Sequence, residues 1–594
     1  MIGYLCKYTP IEILASMGAD PVLLRPHVKN FNSADTLMHP NMCSYVKSVL
    51  EEMQTSDYDG LILTTCCDSV RRLYDVIKDQ YPEKFIYILD LPRKYNKTAI
   101  SLYDTQIHDM TDAYERFSGQ RFAPSSLRER LLCSGSVKNR PEHENQQNGP
   151  RVGLIGARYS SGVRNLLDDE CTDVVFDITC SRKERVFDMN AVTAADDDHI
   201  VDEYIYELLS QLPCLRMADV TKRRDFIREQ SKELDGLIYH TVKFCDSYSY
   251  EYSELHSLTD IPILKIETDL TEQCEGQIRT RIEAFLETLR AKKRNADASS
   301  GSSADTTADS SADASSGVDQ SVVNIAHSIR KDKNMTYVLG IDSGSTSTNA
   351  VIMNGERKII SKGSIRTGAK TSDSAEKILT EILKNAGLDR KDISMIVSTG
   401  YGRVSIPFAD KNVTEISCHG KGARYFDPDV RTILDIGGQD SKAIKLGVNG
   451  DVTDFVMNDK CAAGTGRFLE AMARTLEMDI SELGPISLKS TETVTISSMC
   501  TVFAESEVIS IIAQNKEKAD IANGVHEAIC GKAISLLKRV DPEPGYMMTG
   551  GVAKNVGVVR CLEKRLGAPM FVNDDPEIIG AAGAALYALE DLGI

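Results

Sequence analysis

Apolar positions in this chain follow two different rhythms, separated by a stretch that has none. Over roughly the first 290 residues, short β-rich runs alternate with helical segments: GYLCKY, GLILTT and FIYILDLP, then RVGLIG, DVVFDIT, GLIYHTV and PILKIETD. Strands interleaved with helices predict an α/β module with parallel sheets. A polar break around Ser134 to Pro150 divides it into two lobes, 1–135 and 150–292. From Tyr337 the pattern changes to paired strands about small-residue turns, first YVLGIDSGSTSTNAVIM and then TILDIGGQDSKAIKL. MMTGGVAKNVGV ends a further strand in Gly550-Gly551, and PEIIGAAGAALYA reads as a helix of small residues. Between the two rhythms, Ala296 to Gln320 is Ser, Ala, Asp, Thr and Gly without apolar periodicity. Such a segment cannot bury a core, and a flexible tether of that length spans roughly 25 to 30 Å. The expected organisation is a module at 1–292, a linker at 293–334 and a second module at 335–594.

Composition narrows the chemistry. A chain of 594 residues needs more than one core. Its formal charge of −18 disfavours nucleic acid or an anionic membrane as partner. No run approaches the ~18 apolar residues of a membrane span, and Met1 to Tyr8 does not read as a signal peptide, so a cytoplasmic protein is expected. Fifteen cysteines in a reducing compartment direct attention to metal or redox use rather than disulfides.

Two stretches of the first module echo each other. Asp59-Gly60-Leu61-Ile62 leads to Cys67-Asp68-Ser69, and Asp235-Gly236-Leu237-Ile238 leads to Cys245-Asp246-Ser247. Each places a cysteine beyond the carboxyl end of a strand, where open α/β sheets bind ligands. The echo favours Cys67 over the adjacent Cys66 as the functional thiol.

In the second module, glycine and hydroxyl residues at the two strand turns let backbone N–H groups approach phosphate, and Asp342 can hold magnesium through water. The nucleotide-binding candidates are Gly340, Ser343, Gly344, Ser345, Thr346, Gly437, Gly438, Gln439, Gly550, Gly551, Val552 and Asn555. Three such elements in this order resemble the acetate and sugar kinase, actin and heat-shock chaperone superfamily, which implies an actin-like fold binding ATP or ADP with Mg2+. No carboxylate is evident for a phosphate acceptor, whereas Gln439-Asp440 can orient water on the γ-phosphate. Hydrolysis is therefore expected, with Gln439, Asp342 and Asp435 as the catalytic candidates.

NDKCAAGTGRF and SSMCTVFAESEV each feed a cysteine, Cys461 or Cys500, into a helix, whose N-terminus favours the thiolate that ligates iron. Two thiolates leave a cubane incomplete, and a symmetric dimer supplies four. These motifs resemble those of the activators of 2-hydroxyacyl-CoA dehydratases and the ATPase subunits of benzoyl-CoA reductases. The resemblance implies a homodimer sharing one 4Fe-4S cluster and driving a low-potential electron onward. Cys418, Cys530 and Cys561 match none of these motifs and read as structural.

The first module, through GYLCKYTPIEILASMGADPVLL, MCSYVKSVLE, TTCCDSVRRL, DITCSRKER and GLIYHTVKFCDSY, resembles the 2-hydroxyacyl-CoA dehydratase components, including double-cubane cluster reductases. That resemblance implies Cys6, Cys43, Cys67, Cys180, Cys214 and Cys245 as ligands of an 8Fe-9S double cubane, or Cys6, Cys43 and Cys245 as ligands of one 4Fe-4S cluster. The leading expectation is a fused ATP-dependent reductase of a small molecule, supplied by a donor such as ferredoxin or flavodoxin. An acyl-CoA dehydratase or benzoyl-CoA reductase-like component, and a non-catalytic activator or maturation factor, are the other readings.

Overall fold

The apolar runs bounded by glycine and proline become strands, and the computed structural model shows how they are ordered. It describes residues 1–26, 28–39, 41–134, 149–180, 188–271, 275–300, 336–368, 370–458, 462–497 and 500–594. These form two compact units, Met1–Phe285 and Leu286–Ile594. The segment expected as a linker begins inside the helix Glu275–Ser300, and its remainder lies outside the described residues. No helix among the described residues is long and apolar enough to cross a membrane.

In the first unit, β1 (Ile2–Tyr4), β2 (Pro21–Leu23), β3 (Gly60–Thr64) and β4 (Phe85–Leu89) form one sheet in the order β2-β1-β3-β4. The second sheet contains β5 (Arg151–Gly156), β6 (Asp173–Asp177), β7 (Gly236–Val242) and β8 (Ile263–Thr268), in the order β6-β5-β7-β8. Every pairing in both sheets is parallel. The two orders are one permutation used twice, which is the structural form of the sequence echo. β3 and β7 are buried along their whole length, so they read as continuous apolar runs rather than as alternations. β2, only three residues long, carries too little pattern to be read in advance. The lobes also interlock. Helices Met189–Ala194 and Ile200–Ser210 come from the second half of the unit but join Ile13, Tyr103 and Leu127 in the core of the first sheet. Tyr204 from that crossing segment donates to Glu12 at 2.6 Å.

In the second unit, β9 (Tyr337–Ser343), β10 (Ser347–Asn354), β11 (Ile359–Arg366), β12 (Ile393–Thr399) and β13 (Lys411–Asn412) form a sheet ordered β11-β10-β9-β12-β13. β14 (Thr432–Ile436), β15 (Ser441–Leu446), β16 (Val452–Asn458), β17 (Tyr546–Thr549) and β18 (Met570–Val572) repeat it as β16-β15-β14-β17-β18. In each sheet the first three strands are antiparallel and the remaining pairings are parallel. This duplicated architecture is the actin-like ATPase fold.

The closing helix Ile579–Asp591 explains the small-residue pattern at the end of the chain. A Cβ on Gly583 would lie 1.8 Å from the Cys418 carbonyl oxygen, and one on Gly340 would lie 2.0 Å from that of Ala581. Backbone therefore packs against backbone, and this contact alone accounts for a glycine at position 340. Gly583→Ala is expected to destabilise the unit by about 1–3 kcal/mol through overpacking, seen as a lower denaturation midpoint.

Candidate functional site

The carboxyl ends of β1, β3, β5, β6 and β7 open onto one cavity of about 630 Å3 in the first unit. Its wall includes all six cysteines singled out from the sequence, Cys6, Cys43, Cys67, Cys180, Cys214 and Cys245, together with Cys66. Cys43, Cys67 and Cys245 sit at the N-caps of helices Ser44–Thr55, Asp68–Gln80 and Asp246–Leu255, where partial positive charge favours a thiolate, although the bond with Cys245 and burial push Cys43 well above an ordinary thiol. The other sulfurs come from the residues following β1, β3 and β6 and from the turn in which Met217 donates its N–H to the Cys214 carbonyl.

These thiols pair by side-chain hydrogen bonds, Cys43 with Cys245, Cys66 with Cys67 and Cys180 with Cys214. Within two of the pairs the proton is held unequally. The bond from Cys66 lowers Cys67 to about 6, while Cys66 itself is pushed well up. The bond from Cys180, followed by the charges of Arg216 and Lys7, holds Cys214 well below an ordinary thiol. Burial raises Cys6 to about 11. Lys7, Arg93, Arg158, Arg216 and Arg223 also line the cavity, so thiolate charge has cationic neighbours. Arg223 is committed to Glu251 at 2.6 Å. Among the described residues, no three His, Cys, Asp or Glu side chains are gathered to hold a single metal ion. The sulfurs border a volume instead of converging on a point.

In the second unit the two strand turns meet. A Cβ on Gly438 would lie 2.1 Å from Thr346 Oγ1, so the β14–β15 turn lies directly against the β9–β10 turn. Gly344 N–H donates to Ser347 O and Gly437 N–H to Asp440 O, both at 3.0 Å, closing each turn. Ser345, Thr346 and Gln439 are exposed at these turns, whereas Ser343 is buried and its Oγ makes no hydrogen bond. Gly550 follows β17 with φ of +81°, and its Cα faces Asp435 and the Ile436 carbonyl. Gly551 is exposed, Val552 is buried in the core, and Asn555 caps the helix Val556–Leu566 by accepting from Gly557 and Val558 N–H. The Asn555 amide also meets His526 Nε2 at 3.1 Å, so its polar atoms are engaged within the protein.

Asp342 and Asp435, both buried, belong to a charged cluster that the sequence did not reveal. Lys442 Nζ reaches Asp440 at 2.7 Å, Asp435 at 3.0 Å and Glu415 at 3.6 Å, and His419 Nε2 lies 3.4 Å from Asp435. Burial raises Asp342 to about 6. Burial also opposes charge on Asp435 and His419, but their partners prevail. Lys442 and His419 hold Asp435 well below the usual carboxylate range, and Asp435 raises His419 to about 9. The available signal for Lys442 was a lysine two residues beyond Asp440, at the start of the strand SKAIKL.

Cys500 is exposed and caps the helix Thr501–Ile512. Cys461 lies outside the described residues, between the end of β16 and the helix Gly466–Thr475. Cys418, Cys530 and Cys561 are buried.

Both units have relatives among known proteins. The model of the BadF/BadG/BcrA/BcrD ATPase family matches residues 339–588. The 2-hydroxyisocaproyl-CoA dehydratase activator of Clostridioides difficile is 46% identical over 255 residues, covering 43% of this chain and 96% of the activator. The chain belongs to this ATPase family. The model of the 2-hydroxyglutaryl-CoA dehydratase D-component matches residues 6–135 and 130–289 of the first module. The (R)-2-hydroxyglutaryl-CoA dehydratase activating ATPase of Acidaminococcus fermentans is 47% identical over 253 residues, which is 42% of this chain and 96% of that protein. The activator of lactoyl-CoA dehydratase of Anaerotignum propionicum is 47% identical over 254 residues, 43% of this chain and 98% of that activator. The second unit is thus an ATP-binding ATPase domain.

Because His419 rises from 6.5 to about 9 on folding, its contribution to stability is complete below pH 6.5 and is lost as pH rises toward 9. Denaturant titrations in magnesium-free buffer should show stability falling across that window, and His419→Gln should flatten the slope.

Proposed function

We propose that the chain is an ATP-hydrolysing iron-sulfur reductase in which the second unit energises electrons and the first delivers them to a small molecule. The observation that supports this most is the convergence of six cysteines, scattered from Cys6 to Cys245, on one cavity, in a chain that also carries an ATPase domain. Thiols around a volume suit a polynuclear cluster, in which each sulfur binds a different iron, better than a single ion. Lys7, Arg158 and Arg216 offset the negative charge that such a cluster and its thiolates carry. All six of these cysteines line the cavity, with Cys66 beside them, which favours the 8Fe-9S double cubane over a 4Fe-4S cluster on Cys6, Cys43 and Cys245 alone. The bound clusters supply one-electron transfer at low potential, fed by an external donor such as ferredoxin or flavodoxin.

In the ATPase, the backbone N–H groups of Ser345, Thr346 and Gly438 receive the phosphates, and Gly550 with Gly551 leaves room for adenosine. Asp342 and Asp435 hold Mg2+ through water, and Gln439, exposed at its turn, orients the attacking water. Cys461 and Cys500 hold a 4Fe-4S cluster completed by the same residues of a second copy. The surface beside Cys500 supports a homodimer, since Val502 and Phe503 are each 67% exposed and Ile509 is 55% exposed. Apolar groups grouped beside a half-complete ligand set are what a twofold interface would cover.

The match to a 2-hydroxyglutaryl-CoA dehydratase D-component favours a second reading, a 2-hydroxyacyl-CoA dehydratase or benzoyl-CoA reductase-like component with its activator fused. Titration calorimetry of the cluster-loaded protein with CoA esters separates the two, since binding is expected only for the second.

After anaerobic loading, a Cys461→Ser chain is expected to keep about eight irons in the first unit. About four would remove the double cubane, and none would remove the cluster reading altogether. Phe503→Glu is expected to shift the full chain from dimer to monomer in sedimentation velocity, and an unchanged dimer would place the interface elsewhere.

A further inference from the structure

Two side chains outside the thiol set touch its sulfurs directly. Tyr248, in the first turn of Asp246–Leu255, is buried, and its hydroxyl lies 2.9 Å from Cys180 Sγ and 3.8 Å from Cys214 Sγ. Arg216, two residues beyond Cys214, donates from Nη2 to Cys245 Sγ at 3.8 Å, and its guanidinium carbon lies 5.3 Å from the centre of the Tyr248 ring. The pair therefore reaches three sulfurs carried on three different segments. The Arg216 Nε is buried without a hydrogen-bond partner, so this guanidinium keeps a donor in reserve at the cavity wall.

Further residues fix the pair in place. Tyr239 donates its hydroxyl to the Tyr248 carbonyl at 2.6 Å and approaches Glu251 at 3.0 Å. Arg223 joins Glu251 to the Ile178 carbonyl, two residues before Cys180. A buried polar network thus ties Tyr248 to the segment that presents Cys180.

We propose that Arg216 and Tyr248 are positioning residues that, by hydrogen bonding and charge at the ligand sulfurs, raise the reduction potential of the cluster held in this cavity. The inference rests on the cluster reading given above. Donors and positive charge at thiolate sulfur stabilise the added electron, and such outer contacts are among the chief means by which a protein tunes an iron-sulfur centre.

The test uses the full chain, loaded anaerobically, in a Cys461→Ser background so that only the first unit reports. Iron content and an EPR-monitored redox titration are measured for the parent and for Tyr248→Phe, Arg216→Gln and Arg216→Lys. Tyr248→Phe and Arg216→Gln are expected to move the midpoint to more negative potential. A tenfold fall in the reduced-to-oxidised ratio at the parent midpoint corresponds to about 59 mV for one electron. Arg216→Lys, which keeps the charge but loses the fork, should shift less than Arg216→Gln. Unmoved or more positive midpoints overturn the proposal, as does loss of iron with no change in the midpoint of what remains. A parent without iron overturns the cluster reading itself, so the two failures are distinguishable.

Discussion

The first unit is governed by the rule that parallel strands deliver all their carboxyl ends to one edge. Parallel pairing requires a crossover after each strand, and the loop entering each crossover lies at that edge. Because the order β2-β1-β3-β4 recurs as β6-β5-β7-β8, the unit has two such edges, and both open on the same cavity. Cysteines distant in sequence need only follow a strand or cap a helix to share a wall. The ATPase unit obeys a related rule with a different start, since its antiparallel turns, and not its crossovers, bring glycine backbone together where the two sheets meet.

The two sites solve opposite electrostatic problems. In the ATPase cleft, buried carboxylates are already neutralised by Lys442 and His419, with Asp435 at the centre of the pairing. An arriving cation joins an organised network and must compete with these partners. In the thiol cavity, sulfurs share protons in pairs while cations remain close by. Removing those protons exposes the thiolates to positive charge that is already in place, which lowers the cost of assembling an anionic group in a buried volume.

Much of this was legible in the chain. The seven strands read from the first module all occur, because β3 and β7 are long, apolar and introduced by glycine, and both ATPase hairpins fall where their small-residue turns lie. The cysteines were visible because each sits in a motif. What remained hidden depends on contacts between distant segments. Nothing local announces that Tyr248 meets Cys180 or that His419 meets Asp435, and each pairing is made only by tertiary packing. The helices at 189–210 looked like part of the second lobe because periodicity reports which face is apolar, not which core receives it. Gly340 and Asn555 illustrate a related limit. Both lie within nucleotide motifs, but a close helix contact accounts for the glycine and helix capping for the asparagine.

The closing helix Ile579–Asp591 has a consequence beyond packing. The chain passes from the first ATPase sheet to the second through the helix Glu415–Phe426, and returns through the closing helix. These two connections touch through glycines, with Gly422 facing the Ile579 carbonyl and Gly583 facing that of Cys418. Where most helix pairs interlock side-chain ridges, this pair brings backbone against backbone at the glycines. Side chains also cross this contact, Lys421 pairing with Glu590 and lying over the Tyr587 ring at 4.2 Å, so a slide of one connection on the other must break these links. The two halves around the cleft are thus joined by close backbone contact with charged side chains as its latch, so a shift of one connection is passed on to the other.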